Sequence, residues 1–270
     1  MNNFPEQNMD GAAVSTPASC TLPADKKVDL LARYNSYFRS QGADTPELLR
    51  TALAIRYQVY CLERKFENAE EHGDHLECDD FDAAALHSLV IHRPTDEAIG
   101  TARLILPRYA EGGLPIERLL RENGLRAGDY FPLATSAEVS RFSISNQFRR
   151  RRTDNGVSEG RQSECRGALP CLGLIQEIIR QSRALGLTHW LAVMEPKLLR
   201  MMAAIGFVFT PVGPLVSYHG LRQPSYACVA DTLARLKREH PDHWMVATDD
   251  GRLMPADGAP VKTRMQQHAA

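Results

Sequence analysis

The chain has 270 residues, enough for one sizeable α/β core but a tight fit for two complete domains. Its 32 Lys and Arg stand against 33 Asp and Glu, so a net charge of -1 gives no global pull toward nucleic acid or membrane. The six cysteines, Cys20, Cys61, Cys78, Cys165, Cys171 and Cys228, form no C-x-x-C pair, which argues against a zinc knuckle or redox motif and suits free thiols in a reducing cytoplasm.

Residues 1–27 mix Asn, Pro, Ser, Thr and Ala without periodicity, and residues 251–270 are similar, so both are expected as disordered tails around a single domain at 28–250. The first twenty residues have neither the basic start nor the apolar run of a secretory signal. Nor is any apolar stretch long enough for a transmembrane segment. Thr45-Pro46 is an N-cap with proline at the first helical position, and Leu48, Leu49, Ala52, Leu53, Val59 and Tyr60 recur at helical spacing, predicting a helix over 46–62.

An acidic loop (68–80) leads to two β-branched apolar runs, 86–92 and 99–106, separated by Pro94-Thr95-Asp96 as in a hairpin. A strand is expected at 138–145, then a flexible polar loop at about 147–168 and an apolar helix at 172–185. Gly186 stops that helix before a strand at 189–194, and Pro196 opens another that ends at Gly206. Strands at 207–212 and 226–230 and a helix at 232–238 complete a mixed sheet with helices on both faces.

Charged residues inside or beside apolar runs are costly unless paired or used. Three clusters stand out: Arg56; Glu77 with Asp79 and Asp82; and Arg103 with Glu138 and Arg141. A structural ion-pair network at a sheet edge is one account of them, and a reactive site is the other.

The order Arg56-x-x-Val59-Tyr60, Glu77-x-Asp79-x-x-Asp82, Arg103-Leu104 and Glu138-x-Ser140-Arg141-Phe142 resembles the acyl-homoserine-lactone (autoinducer) synthases and the N-acyl amino acid synthases. Arg56 to Glu63, His189 to Pro196 and Tyr218 to Pro224 resemble more closely the acyltransferases associated with the exosortase (PEP-CTERM) system of bacteria. The resemblance implies a GNAT-like acyl-CoA N-acyltransferase fold, with a mostly antiparallel sheet splayed at its middle and the thioester arm of an acyl donor lying in the gap. It implies transfer of a fatty acyl group to the amine of a small molecule, with no permanently bound cofactor and no metal.

A thioester is already activated, so such an enzyme holds the donor, deprotonates the amine and stabilises an oxyanion. Glu138 is the expected general base, through a water; the competing account is a salt bridge to Arg103 or Arg141. Glu138 and Arg141 point to opposite faces of a regular strand, so if both line the site a bulge lies between them, and it would free a backbone N–H for the oxyanion. The acidic trio then orients Arg103 and Arg141 or meets the acceptor's amine. Arg56 is placed near the same pocket by the resemblance, and Ser140 and Phe142 complete the expected substrate wall.

The glycine-rich phosphate turn of coenzyme A enzymes is missing between the Glu138 strand and the next helix, whereas Arg149, Arg150, Arg151 and Arg152 suit an acidic acyl carrier protein. The donor is therefore expected to be acyl carrier protein, or else acyl-CoA. Lactone synthases use S-adenosylmethionine and carry a tryptophan where this chain has Phe66, which moves the acceptor toward an amino acid or another small amine. Tyr218, His219 and Arg222 form a polar cluster that would hold an acceptor carboxylate or simply make a turn.

Two rivals belong to other classes. His72, Asp74, His75, Glu77, Cys78 and Asp79 crowd together like metal ligands, but in a loop without helical spacing. A non-catalytic module that only binds acylated carrier protein is the second.

Overall fold

The computed structural model describes residues 29–107, 110, 112–146, 148, 168–217 and 220–254. The expectations placed on residues 1–27 and 255–270 of the two tails, on nearly all of the 147–168 loop, and on Tyr218 and His219 lie outside the described residues, whereas 251–254, expected as tail, form turns in which the Met254 N–H donates to the Gly251 carbonyl at 2.9 Å.

Helix α1 (Leu30–Tyr37) starts on Asp29, whose carboxylate accepts the Ala32 N–H at 3.0 Å, and runs straight into β1 (Phe38–Gly42). Neither element has enough apolar periodicity to show in the sequence. Helix α2 (Pro46–Arg56) begins as expected, with the Thr45 hydroxyl accepting the Leu48 N–H at 3.3 Å. Beyond Arg56 the coil widens into a π-helical stretch, Tyr57–Glu63, so the single helix read over 46–62 has two geometries. The widened turn turns both Val59 and Tyr60 inward.

The hairpin β2 (Ala85–His92) and β3 (Glu97–Ile105) forms as read, its turn closed by Asp96 at φ 54. An unforeseen helix α3 (Pro115–Glu122) precedes β4 (Ser136–Ile144). Then come α4 (Ala168–Leu185), β5 (His189–Met194), α5 (Pro196–Ala204), β6 (Thr210–Pro211), β7 (Val216–Ser217), β8 (Leu221–Cys228), α6 (Val229–Glu239) and α7 (Pro241–Ala247). The strand expected at 207–212 shrinks to two residues, and the one at 226–230 starts earlier, at Leu221.

The strand order is β1-β2-β3-β4-β5-β8-β6, with β7 paired to β8. Every pairing is antiparallel except β4 with β5. On one face α4 covers β1 to β3 and packs on α7; α2 and α3 cover the other. Leu172, Leu174, Ile175, Ile178 and Ile179 of α4 are each 3% exposed or less. Each contributes about 1.5–3 kcal/mol of burial before the entropic cost of ordering. No helix among the described residues is long and apolar enough to cross a membrane.

The site is created by where pairing stops. β4 meets β5 only at Ser136↔His189, Ala137↔Trp190 and Glu138↔Leu191, although β4 continues to Ile144 and β5 to Met194. Each strand is held elsewhere: β4 to β3 as far as Gly100↔Ile144, and β5 to β8 as far as Met194↔Gln223. Two blocks of sheet, joined over three residues, twist apart beyond Glu138.

A bulge sharpens the divergence. Thr101 pairs with Ser143 and Arg103 with Ser140, so Arg141 and Phe142 together oppose Ala102, and Arg141 takes φ 49. The irregularity thus includes Arg141 itself and does not fall between it and Glu138.

Candidate functional site

A cavity of about 410 Å³ fills the gap between β4 and β5. Its two ends differ chemically. One is lined by Glu67, Asp79, Arg103, Glu138, Ser140 and Arg141. The other is apolar, walled by Cys171, Ile175 and Ile178 of α4, by Trp190, Ala192 and Met194 of β5, and by Met202 and Phe207.

The polar end is organised by a buried network whose acids sit in one local turn. Asp79 caps the short helical turn Asp80–Ala84 by accepting the Phe81 N–H at 2.9 Å, while Asp82 accepts the Asp79 N–H at 2.8 Å. That turn lies against β2 and β3 and brings both carboxylates to Arg103, whose Nη1 donates to Asp79 Oδ1 at 2.5 Å and Asp82 Oδ1 at 2.7 Å. Arg103 Nε also donates to the Ser140 hydroxyl at 3.0 Å across the β3–β4 pair. Arg141 donates from Nη2 to Glu77 Oε1 at 2.9 Å and to Asp79 Oδ2 at 3.2 Å, and lies 5.1 Å from the Tyr60 ring centre.

Arg56 is 0% exposed and serves this network from behind. Its Nε donates to Glu77 at 2.6 Å and its Nη1 to Asp82 at 2.5 Å; Nη2 has no partner among the described residues. Burial pushes the Glu77 carboxyl upward, but Arg56 and Arg141 overcome it and hold the group down at about 2. Asp82 is held at about 2 by the same opposition of burial and the Arg56 guanidinium. His87, 3.6 Å from Asp82, is driven down to about 4 mainly by burial and is neutral at pH 7.

Glu138 behaves oppositely. It is 2% exposed at the vertex where β4 and β5 part, and it makes no ion pair among the described residues. The salt bridge to Arg103 or Arg141 that the sequence allows is not formed. Its Oε2 instead accepts the Ile116 N–H at 2.9 Å, near the start of α3. Burial raises its carboxyl to about 7, against the lowering effect of the Ile116 N–H and of Arg103. A carboxylate with that affinity for a proton is matched to taking one at neutral pH.

Of the residues singled out from sequence, Glu138, Arg103, Arg141, Asp79, Ser140 and Phe142 line the cavity; Arg56, Glu77 and Asp82 do not, and hold the residues that do. Arg149 to Arg152 lie outside the described residues. Phe66 and Arg222 also line the cavity, with the Arg222 guanidinium 5.3 Å from the Phe66 ring centre and 2.7 Å from Glu195.

His72 and His75 pack on the Tyr57 ring, and Glu77 and Asp79 are taken up by arginines. Sequence reasoning missed Tyr60, Glu67 and Glu195 in the wall and the Ile116 N–H as the holder of Glu138. Pro115 followed by Glu117 was the available signal for that helix start: the Glu117 carboxylate accepts the Leu114 N–H at 2.8 Å.

Residues 55–158 match the family described as acetyltransferase (GNAT) domain. No curated protein matches the chain in sequence. Among solved structures it is similar to TofI in a ternary complex with an inhibitor and MTA, with TM-score 0.55 and 19% identity over 74% of this chain and 96% of TofI. It is also similar to BjaI, a CoA-dependent acyl-homoserine lactone synthase solved with SAM and isopentyl-CoA (TM-score 0.51, 18% identity, 75% of this chain and 88% of that one). The AHL synthase LasI gives TM-score 0.50 and 20% identity over 71% of this chain and 89% of its own. The chain has the GNAT acyltransferase fold.

Proposed function

We propose that this protein is an N-acyltransferase moving a fatty acyl group from a carrier thioester to the amine of a small molecule, an amino acid before any other. The observation that carries the reading is the parting of β4 from β5 immediately after Glu138, with that carboxyl buried, without an ion pair among the described residues and raised to about 7 at the vertex. The acyl chain lies in the apolar end of the cavity, against α4, and the thioester carbonyl sits beside β4, whose β5-facing backbone has no strand partner among the described residues beyond Glu138. The amine nitrogen attacks the carbonyl carbon while Glu138, directly or through a water, takes its proton. The C–S bond then breaks, and the sulfur leaves as a thiolate that takes a proton from solvent.

Arg103 and Arg141 form the fixed positive wall facing the developing oxyanion, each held by carboxylates of the acidic trio. Acyl carrier protein or acyl-CoA fits as donor; BjaI, similar in fold, was solved with isopentyl-CoA. Phe66, in place of a tryptophan, and the resemblance to exosortase-associated acyltransferases favour amide formation on an amino acid over lactone formation from S-adenosylmethionine. The test is mass spectrometry of lipid extracts from cells expressing wild type or Glu138→Ala. The expected outcome is a new N-acyl amine in the wild type that disappears in the variant; equal amounts in both would refute the assignment of the base.

A further inference from the structure

Two carboxyls converge on the first turn of α3. The Glu117 side chain folds back to accept the Leu114 N–H at 2.8 Å, and Oε2 of Glu138 accepts the Ile116 N–H at 2.9 Å. Glu117 thus caps the helix from within, while Glu138 reaches the same turn from β4. Leu114 and Ile116 are both 0% exposed, whereas Glu117 is only half-buried.

The seat of Glu117 is built by the chain before it. Gly112 and Gly113 take φ 69 and φ 85, left-handed values that bring the backbone round against the side chains of α3. A Cβ on Gly113 would meet Glu117 Oε2 at 3.0 Å, so the carboxylate is packed on backbone that glycine leaves open.

The charged groups acting on Glu138 are Arg103 from β3, Glu117 from α3 and Asp79 from the turn before β2. Its register partner on β5 is Leu191, beyond which β8 presents Tyr226, and Arg118 of α3 is engaged on the Phe81 ring at 5.1 Å. Burial is the main reason that Glu138 keeps its proton up to about 7; Arg103 opposes this, and Glu117 and Asp79 add to it. Asp79 is engaged by Arg103 and Arg141, but Glu117 pairs with no cation among the described residues. Two carboxyls on one helix start repel when both are ionised, so the more exposed one carries the charge and the buried one holds the proton.

We infer that Glu117 is a positioning residue for the general base: its carboxylate seats the turn that offers the Ile116 N–H to one oxygen of Glu138, and its negative charge there strengthens Glu138 as a base. The inference rests on the acyltransferase reading, in which Glu138 takes the amine's proton, and adds the residue that tunes it. With Oε2 held by the N–H, the proton arrives on Oε1.

The test is the pH dependence of kcat/KM for acyl transfer in wild type, Glu117→Gln and Glu117→Asp, between pH 5.5 and pH 8.5. Gln keeps an oxygen for the Leu114 N–H but loses the charge; Asp keeps the charge on a shorter arm. With Gln the midpoint for Glu138 is expected to fall by about half to one pH unit, so the ratio of variant to wild-type kcat/KM rises about two- to fivefold from pH 8.5 to pH 6. Ionisation of the acceptor amine is common to both proteins and cancels in that ratio. With Asp the ratio is expected to stay flat with pH. A Gln ratio that is flat, or that falls toward acid pH, would overturn the inference, as would Asp behaving as Gln does.

If wild type transfers no acyl group, the acyltransferase reading falls by itself, and the carboxyl is then followed directly by NMR. In protein labelled with carbon-13 at glutamate Cδ, the Glu138 signal is identified by its loss in Glu138→Gln. Its titration midpoint is expected to be lower in Glu117→Gln than in wild type, and equal midpoints would sink the inference with or without turnover.

Discussion

Replacing Glu138 by Gln separates the chemistry of this carboxyl from its cost to folding. The group is 2% exposed and its carboxyl is raised from 4.5 to about 7 in the fold, chiefly by burial. A proton is therefore bound more tightly in the folded than in the unfolded chain, so this group's contribution to stability is fully present below pH 4.5 and is lost as pH rises through 7. At about 1.4 kcal/mol per pKa unit the loss comes to about 3 kcal/mol by pH 8. Gln carries no charge and keeps an oxygen to accept the Ile116 N–H.

Urea unfolding of both proteins between pH 4.5 and pH 8.5 therefore has a definite expected form. Near pH 4.5 the two are similarly stable; by pH 8 the variant is ahead by about 3 kcal/mol, or about 6–12 °C in Tm, while acyl transfer is lost. Glu77 and Asp82 titrate alike in both proteins and cancel in the difference. A difference that stays flat with pH, or a variant less stable at pH 8, would refute the account of Glu138 as a buried, unpaired carboxyl.

Glu77→Gln should do the reverse, costing about 3–5 kcal/mol in thermal or chemical unfolding at pH 7, because it strips buried Arg56 and Arg141 of their shared carboxylate. In the wild type, Glu77 and Asp82 are both depressed to about 2, so their stabilisation is present above pH 4.5 and is lost as pH falls toward 2; an acid titration by circular dichroism should show it. Ala192→Phe, at a 1% exposed position in the apolar end of the cavity, should shift the preferred acyl chain to a shorter one. Each excluded methylene forfeits about 0.8 kcal/mol, or about fourfold in kcat/KM across a chain-length series, and an unchanged profile would place the acyl chain elsewhere.

Local rules made part of this fold legible in advance. Thr45-Pro46 set the start of α2, the turn at Pro94 to Asp96 paired β2 with β3, and Gly186 and Pro196 framed β5. The charges embedded in apolar runs marked Arg56, Glu77, Asp79, Asp82, Arg103, Glu138 and Arg141, because a buried charge always has a reason. Helix α3 and strand β1 stayed hidden: α3 is eight residues long, and β1 is polar and takes its shape from pairing with β2.

Which charges face the cavity and which brace it was settled by long-range packing. The bulge at Arg141, the end of β4–β5 pairing at Glu138↔Leu191 and the Ile116 N–H on Glu138 join residues distant in sequence. Nothing in the residues around Glu138 distinguishes an ionised partner of Arg103 from a lone carboxyl raised to about 7. That difference is one of burial and of which donor the folded chain brings within reach, and both are properties of packing between elements.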